Sequence, residues 1–372
     1  MKKVGIITFH ASHNYGSMLQ AYALQQVILG MGYDCEIINF RSDAQKEMYK
    51  PIFMRGTLYG KCVRFIIQAT YVLGILKKYR LFEKFLKENL ILSSKEYNTL
   101  KDLENADFNY DYYISGSDQI WNVESWDFSY AYFLPFVKSC KRIAYAPSMG
   151  PSLSMDKSSD INTITGFLKK YDAIGMRETA SARYIERIYK RPVATVLDPT
   201  LLLDSNEYDK LISHKPLIKG EYIFMYSPQY NERVYEMAYK LGKKYNLEVV
   251  VSQGLRTKEE MLKWGRKLRI YAAVGPKEFL NVCKNASIVC CDSFHAVVFS
   301  ILFRKCFFVF DGMKDNRISN LLQITNLQDR SFSLSDDYLS ASLHIDYINA
   351  LNALEIERQK SLRWLKKSLN VN

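Results

Sequence analysis

Three ionisable residues follow predicted strands at points where the chain turns into a helix, and His295 is the first of them. An apolar strand, Ile288 to Cys291, leads through Asp292 and Ser293 into an apolar helix that opens at Phe294 and His295. Asp292 or Ser293 can cap that helix with a side-chain oxygen. A helix N-terminus at the carboxyl end of a parallel strand attracts anions through its free N–H groups and its dipole. The ring of His295 is therefore predicted to face a ligand crevice, and the alternative is a histidine satisfied by local packing.

The second ionisable residue, Arg177, follows a predicted strand from Tyr171 to Met176 and precedes a helix. A guanidinium in that place can hold a carboxylate or a phosphate through two parallel hydrogen bonds. The alternative is an ion pair with Glu178. A further acidic residue, Asp198, stands in a turn and is interpreted as ordering the domain junction and not as a catalytic group.

The third, Asp118, lies in a run of small and polar residues after the predicted strand Asp111 to Ile114. Small residues such as Ser117 let the backbone approach a ligand closely. Asp118 is a candidate base or hydroxyl-binding carboxylate, and Trp121 is a flat ring on which a sugar can stack. The alternative is a capped turn with Trp121 in the core.

A second helix N-terminus follows the first predicted strand, Lys3 to Phe9. The loop does not have the pattern of a dinucleotide-binding or Walker motif, so it implies no dinucleotide. It is interpreted as part of the ligand-binding wall, and the alternative is a tight turn that needs glycine. The residues of this loop are Asn14, Tyr15, Gly16 and Ser17.

The order of the predicted elements indicates an α/β protein. The first strand, a helix ending at Gly30 and a strand from Cys35 to Phe40 form a βαβ unit, which implies a parallel sheet. A second alternating set follows a candidate boundary at Ser205 to Gly220. We predict two Rossmann-like domains with a cleft between them, in residues 1–215 and 216–335, and a C-terminal helical segment, 336–372. A loop over 41–58 and a helical insertion at about 45–110 are predicted within the first domain.

The net charge of the chain indicates which kinds of binding partner to expect. Among 372 residues the net charge is +12, which favours nucleic acid, an anionic membrane surface or anionic small substrates. The chain has no RRM-like, zinc-finger or helix-turn-helix pattern, so nucleic acid is not an expected partner. The basic helical region Lys61 to Glu88 has two interpretations. One is an amphipathic surface that touches the inner membrane face, and the other, which we favour, is an insertion packed on the first domain.

The cysteines and the apolar segments indicate a cytoplasmic protein. The seven cysteines are scattered without a CxxC pair, which is typical of reduced thiols. The chain enters a strand directly, so no signal peptide is expected. The apolar stretch Phe65 to Leu76 is too short to span a bilayer. No metal-ligand spacing appears, and no metal is predicted.

Five motifs together resemble the polysaccharide pyruvyl transferase family. They keep the family's order over most of the chain and read NYGSMLQAYALQ, GSDQIWN, GMRETAS, VGPKEFL and DSFHAVVFSILF. The resemblance implies a fold like that of the GT-B glycosyltransferases, with the last helix returning to the first domain. It implies phosphoenolpyruvate as the donor, bound by the second domain, and no separate cofactor. It also implies a glycan acceptor, lipid-linked or not, bound by the first domain for surface or capsular polysaccharide synthesis.

The resemblance also assigns roles to the site residues. His295 is expected to act as the acid or to contact phosphate, Asp118 to act as the base or to orient the acceptor, and Arg177 to clamp the anion. Some characterised members carry an arginine just before or near this histidine, where the chain has Ser293 and Phe294. One donor-binding charge is therefore either missing or supplied elsewhere, with Arg317 and Arg304 as the candidate substitutes. The other predicted substrate-binding residues are Ser293, Asn14, Tyr15, Gly16, Ser17, Ser117 and Trp121.

Two other functions stay open from the sequence. The same fold could serve a glycosyltransferase that uses a nucleotide-sugar. The chain could also be a non-catalytic protein that binds a glycan or a nucleic acid, because a fold alone does not determine function.

Overall fold

Two parallel β-sheets form the framework of the computed structural model, which describes residues 1–51, 58–150, 160–255 and 257–370. The first sheet has seven strands in the order β3-β2-β1-β4-β5-β6-β7, and the second has six in the order β10-β9-β8-β11-β12-β13. The first-sheet strands are β1 (Lys3–Ile7), β2 (Asp34–Phe40), β3 (Leu92–Tyr97), β4 (Tyr112–Ser115), β5 (Lys141–Tyr145), β6 (Ala173–Met176) and β7 (Ala194–Thr195). The second-sheet strands are β8 (Tyr222–Tyr226), β9 (Glu248–Val251), β10 (Arg269–Ile270), β11 (Ile288–Cys291), β12 (Cys306–Phe310) and β13 (Ser331–Phe332).

Helices connect and cover the strands, as parallel pairing requires. In the first half they are α1 (Tyr15–Gly30), α2 (Asp43–Met48), α3 (Leu58–Asn89), α4 (Leu100–Glu104), α5 (Ile161–Leu168), α6 (Thr179–Tyr189) and α7 (Ser205–Asp209). In the second half they are α8 (Glu232–Tyr245), α9 (Lys258–Trp264), α10 (Pro276–Asn285), α11 (Phe294–Leu302), α12 (Asn316–Thr325) and α13 (Tyr347–Ser368). None of these helices, within the described residues, is long and apolar enough to cross a membrane.

Both sheets reverse their strand order beside their first strand. In the first sheet β1 lies between β2 and β4, and in the second β8 lies between β9 and β11. In open α/β sheets, ligands bind at the carboxyl ends of the strands at such switch points. The loops after β1, β4 and β11, which carry the predicted site residues, therefore belong to the two switch points.

The two sheets share one apolar cluster. At its centre Tyr15 of α1 stacks on Phe279 of α10, with ring centroids 4.6 Å apart, and lies 5.2 Å from the ring of Tyr226. Tyr15 is only 1% exposed. Burial of such a ring stabilises the contact by about 2 kcal/mol, which holds the first helix of one sheet against the second.

Helix α13 returns to the first sheet, as predicted. Its Ser361 Oγ accepts a hydrogen bond from the Leu197 N–H at 2.9 Å. The ring of Trp364 lies 6.1 Å from that of Tyr145 on β5. The predicted fold class is thus confirmed in its sheets and in this return.

The region predicted as a loop and a helical insertion is more varied than expected. Helix α2 lies within the predicted loop 41–58, and strand β3 lies within the predicted insertion. In β3 the sequence LSSKEY is polar, and only Ser93 is buried. The strand forms at the sheet edge by backbone pairing with β2, where Ile37 is opposite Leu92, and apolar patterning could not reveal it.

Candidate functional site

A cleft of about 870 Å³ lies between the carboxyl ends of the two sheets. Its walls come from the loops after β1 and β4 on one side and from the loops after β8, β9 and β11 on the other. The predicted residues that line it are Asn14, Tyr15, Ser17, Asp118, Ser293, His295 and Arg317. The expectation of a ligand-sized cleft between two Rossmann-like domains agrees with this geometry.

His295 lies in the first turn of α11, whose N-terminus is open. The N-cap residue Ser293 makes no side-chain capping hydrogen bond, so the first N–H groups of the helix remain available. The imidazole packs directly over Gly16 of the first domain, where a Cβ would lie 2.6 Å from Cε1 and closer still to Nδ1. Glycine at position 16 therefore lets the two domains meet at this ring.

The Nε2 atom of His295 faces a buried carboxylate. It lies 3.7 Å from Oδ2 of Asp198, which is beyond hydrogen-bond distance, and it has no hydrogen-bond partner among the described residues. Burial opposes ionisation of Asp198, but the neighbouring His295 and Arg177 outweigh it and hold the pKa of Asp198 well below its usual range. Nε2 of His295 therefore faces a negative charge.

Arg177 lies behind this pair and does not line the cleft. Its side chain is 3% exposed, with Nε 2.8 Å from Glu178 Oε1 and Nη1 2.8 Å from Asp198 Oδ2. The guanidinium also stacks on the ring of Phe294 at 4.7 Å. The prediction that Arg177 clamps an anion directly is therefore wrong, because Glu178 and Asp198 already neutralise the charge of its guanidinium. The alternative, an ion pair with Glu178, is confirmed. Asp198, interpreted as a junction residue, is the group that joins Arg177 to His295.

Asn14, in the loop after β1, caps the N-terminus of α1. Asn14 Oδ1 accepts hydrogen bonds from the N–H groups of Gly16 at 2.9 Å and Ser17 at 3.4 Å. The hydroxyl of Ser17 in turn donates to Oδ2 of Asp118, whose Oδ1 accepts from the Gln119 N–H at 2.8 Å. Asp118 is thus fixed in the cleft wall with both oxygens oriented, which suits the predicted role of a base or hydroxyl acceptor.

Two residues of the β4 loop are not where a ligand could reach them. Trp121 has no exposed surface; it stacks on Phe133 at 5.1 Å, and its Nε1 donates to the carbonyl oxygen of Tyr132 at 3.3 Å. Ser117 is equally buried, and its hydroxyl donates to the carbonyl of Ala146 at 2.7 Å. The predictions that Trp121 stacks on a sugar and that a ligand approaches at Ser117 are therefore wrong, because both side chains are buried. Trp121 lies in the core, which was the alternative interpretation.

Three cationic side chains line the cleft: Lys50, Lys78 and Arg317. Arg317 lines it, with Nε donating to Asp315 Oδ1 at 2.9 Å. Lys78 of α3 also lines it, 5.0 Å above the ring of Tyr15, and makes no ion pair with a described carboxylate. The other predicted donor charge, Arg304, is exposed after the C-terminal end of α11, so a nine-residue helix separates it from the cleft. Lys78 was not singled out in the sequence, where it is one of many basic residues of its helix.

Asp292 is a second site residue that the sequence suggested only as a cap. Its Oδ2 accepts hydrogen bonds from Ser227 at 3.0 Å and Asn231 at 3.2 Å, whereas Oδ1 has no partner among the described residues. Burial raises the pKa of Asp292 to about 6. This carboxyl lines the cleft beside Ser293 and can hold a proton near neutral pH.

The described ranges contain no group of three or more His, Cys, Asp or Glu side chains that could hold a metal ion. The cleft described above is lined by imidazole and carboxyl groups, three cations and an open helix N-terminus. Such a set binds anions and transfers protons.

Comparison with known proteins agrees with this fold. The family model described as polysaccharide pyruvyl transferase matches residues 14–312. A comparison with curated proteins found no match. Among solved structures, UDP-GlcNAc 2-epimerase from Neisseria meningitidis bound to UDP-GlcNAc is 9% identical, covers 100% of both chains and has a TM-score of 0.55. The S. aureus MnaA-UDP co-structure (13% identity, 100% of this chain, 98% of that one) has a TM-score of 0.54. These similarities establish the fold.

Proposed function

The chain belongs to the polysaccharide pyruvyl transferase family, and from that premise we propose that it transfers the enolpyruvyl-derived group of phosphoenolpyruvate to a glycan sugar. The product is a pyruvate ketal on a surface or capsular polysaccharide. The observation that carries the proposal is the imidazole of His295, unpaired at Nε2, at the open N-terminus of α11 in the interdomain cleft.

We assign phosphoenolpyruvate to the second-domain side of the cleft because its anionic groups are stabilised at the N-terminus of α11. Phosphoenolpyruvate carries a phosphate and a carboxylate. The free N–H groups at the start of α11 and the helix dipole favour one anionic group there. Lys78 supplies positive charge in place of the family arginine near the histidine, because it reaches from the first domain to the Ser252 carbonyl oxygen at 3.4 Å. Arg317 lines the same cleft but is ion-paired with Asp315. Arg177 acts indirectly, by holding Phe294 and Asp198 around His295.

The reaction needs one proton donor and one proton acceptor. A proton added to C3 of the donor leaves positive charge at C2, and a sugar hydroxyl adds to C2 as it loses its own proton. The bond from C2 to the phosphate oxygen then breaks, and a second hydroxyl closes the ketal while its proton leaves with the inorganic phosphate. His295, whose Nε2 faces the carboxylate of Asp198, is assigned the acid role or the phosphate contact, and Asp118 the base or the acceptor-orienting role.

Calorimetric titration of phosphoenolpyruvate tests the donor assignment. Wild type is expected to bind it in the micromolar to low-millimolar range, and His295→Ala to lose both binding and turnover with an unchanged fold. His344→Ala, which alters an exposed histidine, is the matched control. A His295→Ala protein that binds and turns over like wild type would refute the assignment. Binding of UDP but not of phosphoenolpyruvate by wild type would support a nucleotide-sugar transferase.

Helix α3 carries a basic stripe that suits a membrane-bound acceptor. Exposed Lys77, Arg80, Lys84 and Lys87 are spaced three or four residues apart and so share one face of the helix. Each cation near an anionic bilayer contributes about 1 kcal/mol of attraction. We therefore assign this face to peripheral contact with the inner membrane surface, where a lipid-linked glycan would be presented. The protein is expected to co-sediment with phosphatidylserine vesicles but not with phosphatidylcholine vesicles. Replacement of the four basic residues by glutamate should abolish this co-sedimentation. A variant that sediments with phosphatidylserine vesicles as wild type does would contradict the assignment.

A further inference from the structure

The first-domain wall of the cleft presents an exposed tryptophan. Trp126, five residues after the buried Trp121, is 41% exposed and lines the cleft. Its ring meets that of Tyr49 edge-on, with centroids 6.4 Å apart. Met48, 36% exposed, extends the apolar surface beside them. An indole left open inside a ligand-sized cavity is a surface on which a flat apolar face can lie.

Hydrogen-bonding groups surround this ring. Asp127 is only 6% exposed yet lines the cleft, and it accepts a hydrogen bond from Ser125 Oγ at 2.5 Å. Asp118 lines the same wall. Burial, together with the charges of these two carboxylates, raises the pKa of Tyr49 and so keeps its hydroxyl protonated. Acceptors and a donor thus flank one aromatic face.

Carboxylates lie close to the aromatic pair of this wall. Asp127 follows Trp126 directly, Asp118 lines the same wall, and both repel an anion, although Lys50 next to Tyr49 also lines the cleft. A neutral polyol has no such penalty, because its hydroxyl groups donate to carboxylates. A pyranose ring combines the two required features, an apolar C–H face and hydroxyl groups around its edge.

We propose that Trp126, Tyr49 and Asp127 form the subsite for the pyranose ring of the acceptor, with Trp126 taking the stacking role that the sequence had suggested for Trp121. This inference rests on the proposed function for its placement opposite the donor. Asp118, oriented by Ser17, then lies at the boundary between the pyranose and the donor. The subsite recognises a single sugar ring through its face and two or more hydroxyl groups.

Saturation-transfer NMR with a panel of methyl glycosides of common hexoses and N-acetylhexosamines tests the subsite. At least one glycoside is expected to receive transfer from wild type, with about tenfold weaker binding to Trp126→Ala and near-normal binding to Trp126→Phe. Leu262→Ala is the control, because Leu262 is a residue 78% exposed and outside the cleft lining. Asp127→Asn should weaken binding of the same glycoside without loss of stability.

Parallel calorimetry with phosphoenolpyruvate separates this inference from the proposed function. Glycoside binding that depends on Trp126, without any phosphoenolpyruvate binding, would uphold the subsite and overturn the donor. Phosphoenolpyruvate binding together with glycoside binding that Trp126→Ala leaves unchanged would overturn the subsite alone. A panel in which no glycoside receives more transfer from wild type than from Trp126→Ala would also overturn it.

Discussion

Substitution of Gly16 by alanine tests the contact on which the whole site depends. The added Cβ would lie 2.6 Å from Cε1 of His295, against an ordinary contact of about 3.5 Å or more. The ring must therefore retreat by at least about 1 Å, because Nδ1 would lie closer still to the new Cβ. Gly16 does not have a left-handed backbone conformation, so alanine is sterically acceptable to the helix itself and the effect falls on the imidazole.

The expected magnitudes follow from that displacement. A misplacement of about 1 Å lowers catalytic rate by about 100-fold. Overpacking costs about 1–3 kcal/mol of stability, and the better helix propensity of alanine offsets up to about 1 kcal/mol of it. Gly16→Ala is therefore expected to lose activity and phosphoenolpyruvate affinity while unfolding in urea only about 1–2 kcal/mol more easily than wild type.

The assay compares Gly16→Ala with Gly30→Ala. Both glycines lie in α1, but a Cβ at Gly30 meets nothing within 4 Å. NMR of the five histidine rings, with the His295 resonances identified from His295→Ala, should show the ring moved in the first variant and unmoved in the second. Unchanged His295 resonances and unchanged phosphoenolpyruvate affinity in Gly16→Ala would refute the packing argument.

Three further outcomes are expected. Asp198→Asn should lower stability at pH 7 by about 3 kcal/mol, because it breaks a buried ion pair of Arg177; urea unfolding indistinguishable from wild type would contradict this. Asp292 has a folded pKa of about 6, above its unfolded value, so its contribution to stability falls as the pH rises from about 4 through 6. The stability of Asp292→Asn relative to wild type should therefore increase by about 1 kcal/mol between pH 5 and pH 7.5. Thermal stabilities of the two proteins that change in parallel over this pH range would contradict the prediction. Trp121→Ala should lose about 3–5 kcal/mol, whereas Trp126→Ala should change stability by less than about 0.5 kcal/mol, as urea titrations can distinguish.

The structure brings most of the predicted site residues to one cleft but gives some of them other contacts than expected. His295, Asp118, Asn14 and Ser17 were recognised because each follows a strand, and the carboxyl ends of parallel strands converge. Arg177 satisfied the same rule, but its guanidinium points into the protein. Arg177 pairs with Asp198, which lies 21 residues further along the chain and outside the GMRETAS motif. No local sequence pattern could therefore reveal this buried ion pair.

The sequence by itself determined the alternation of strands and helices, the two parallel sheets, the return of the last helix and the family. These follow from local periodicity and from motifs that can be read along the chain. Only the tertiary structure decided which of two tryptophans five residues apart is buried, Trp121 or Trp126, and that Lys78 of a distant helix faces the cleft. Burial and charge pairing depend on which segments meet in space, and residue types and spacing do not contain that information.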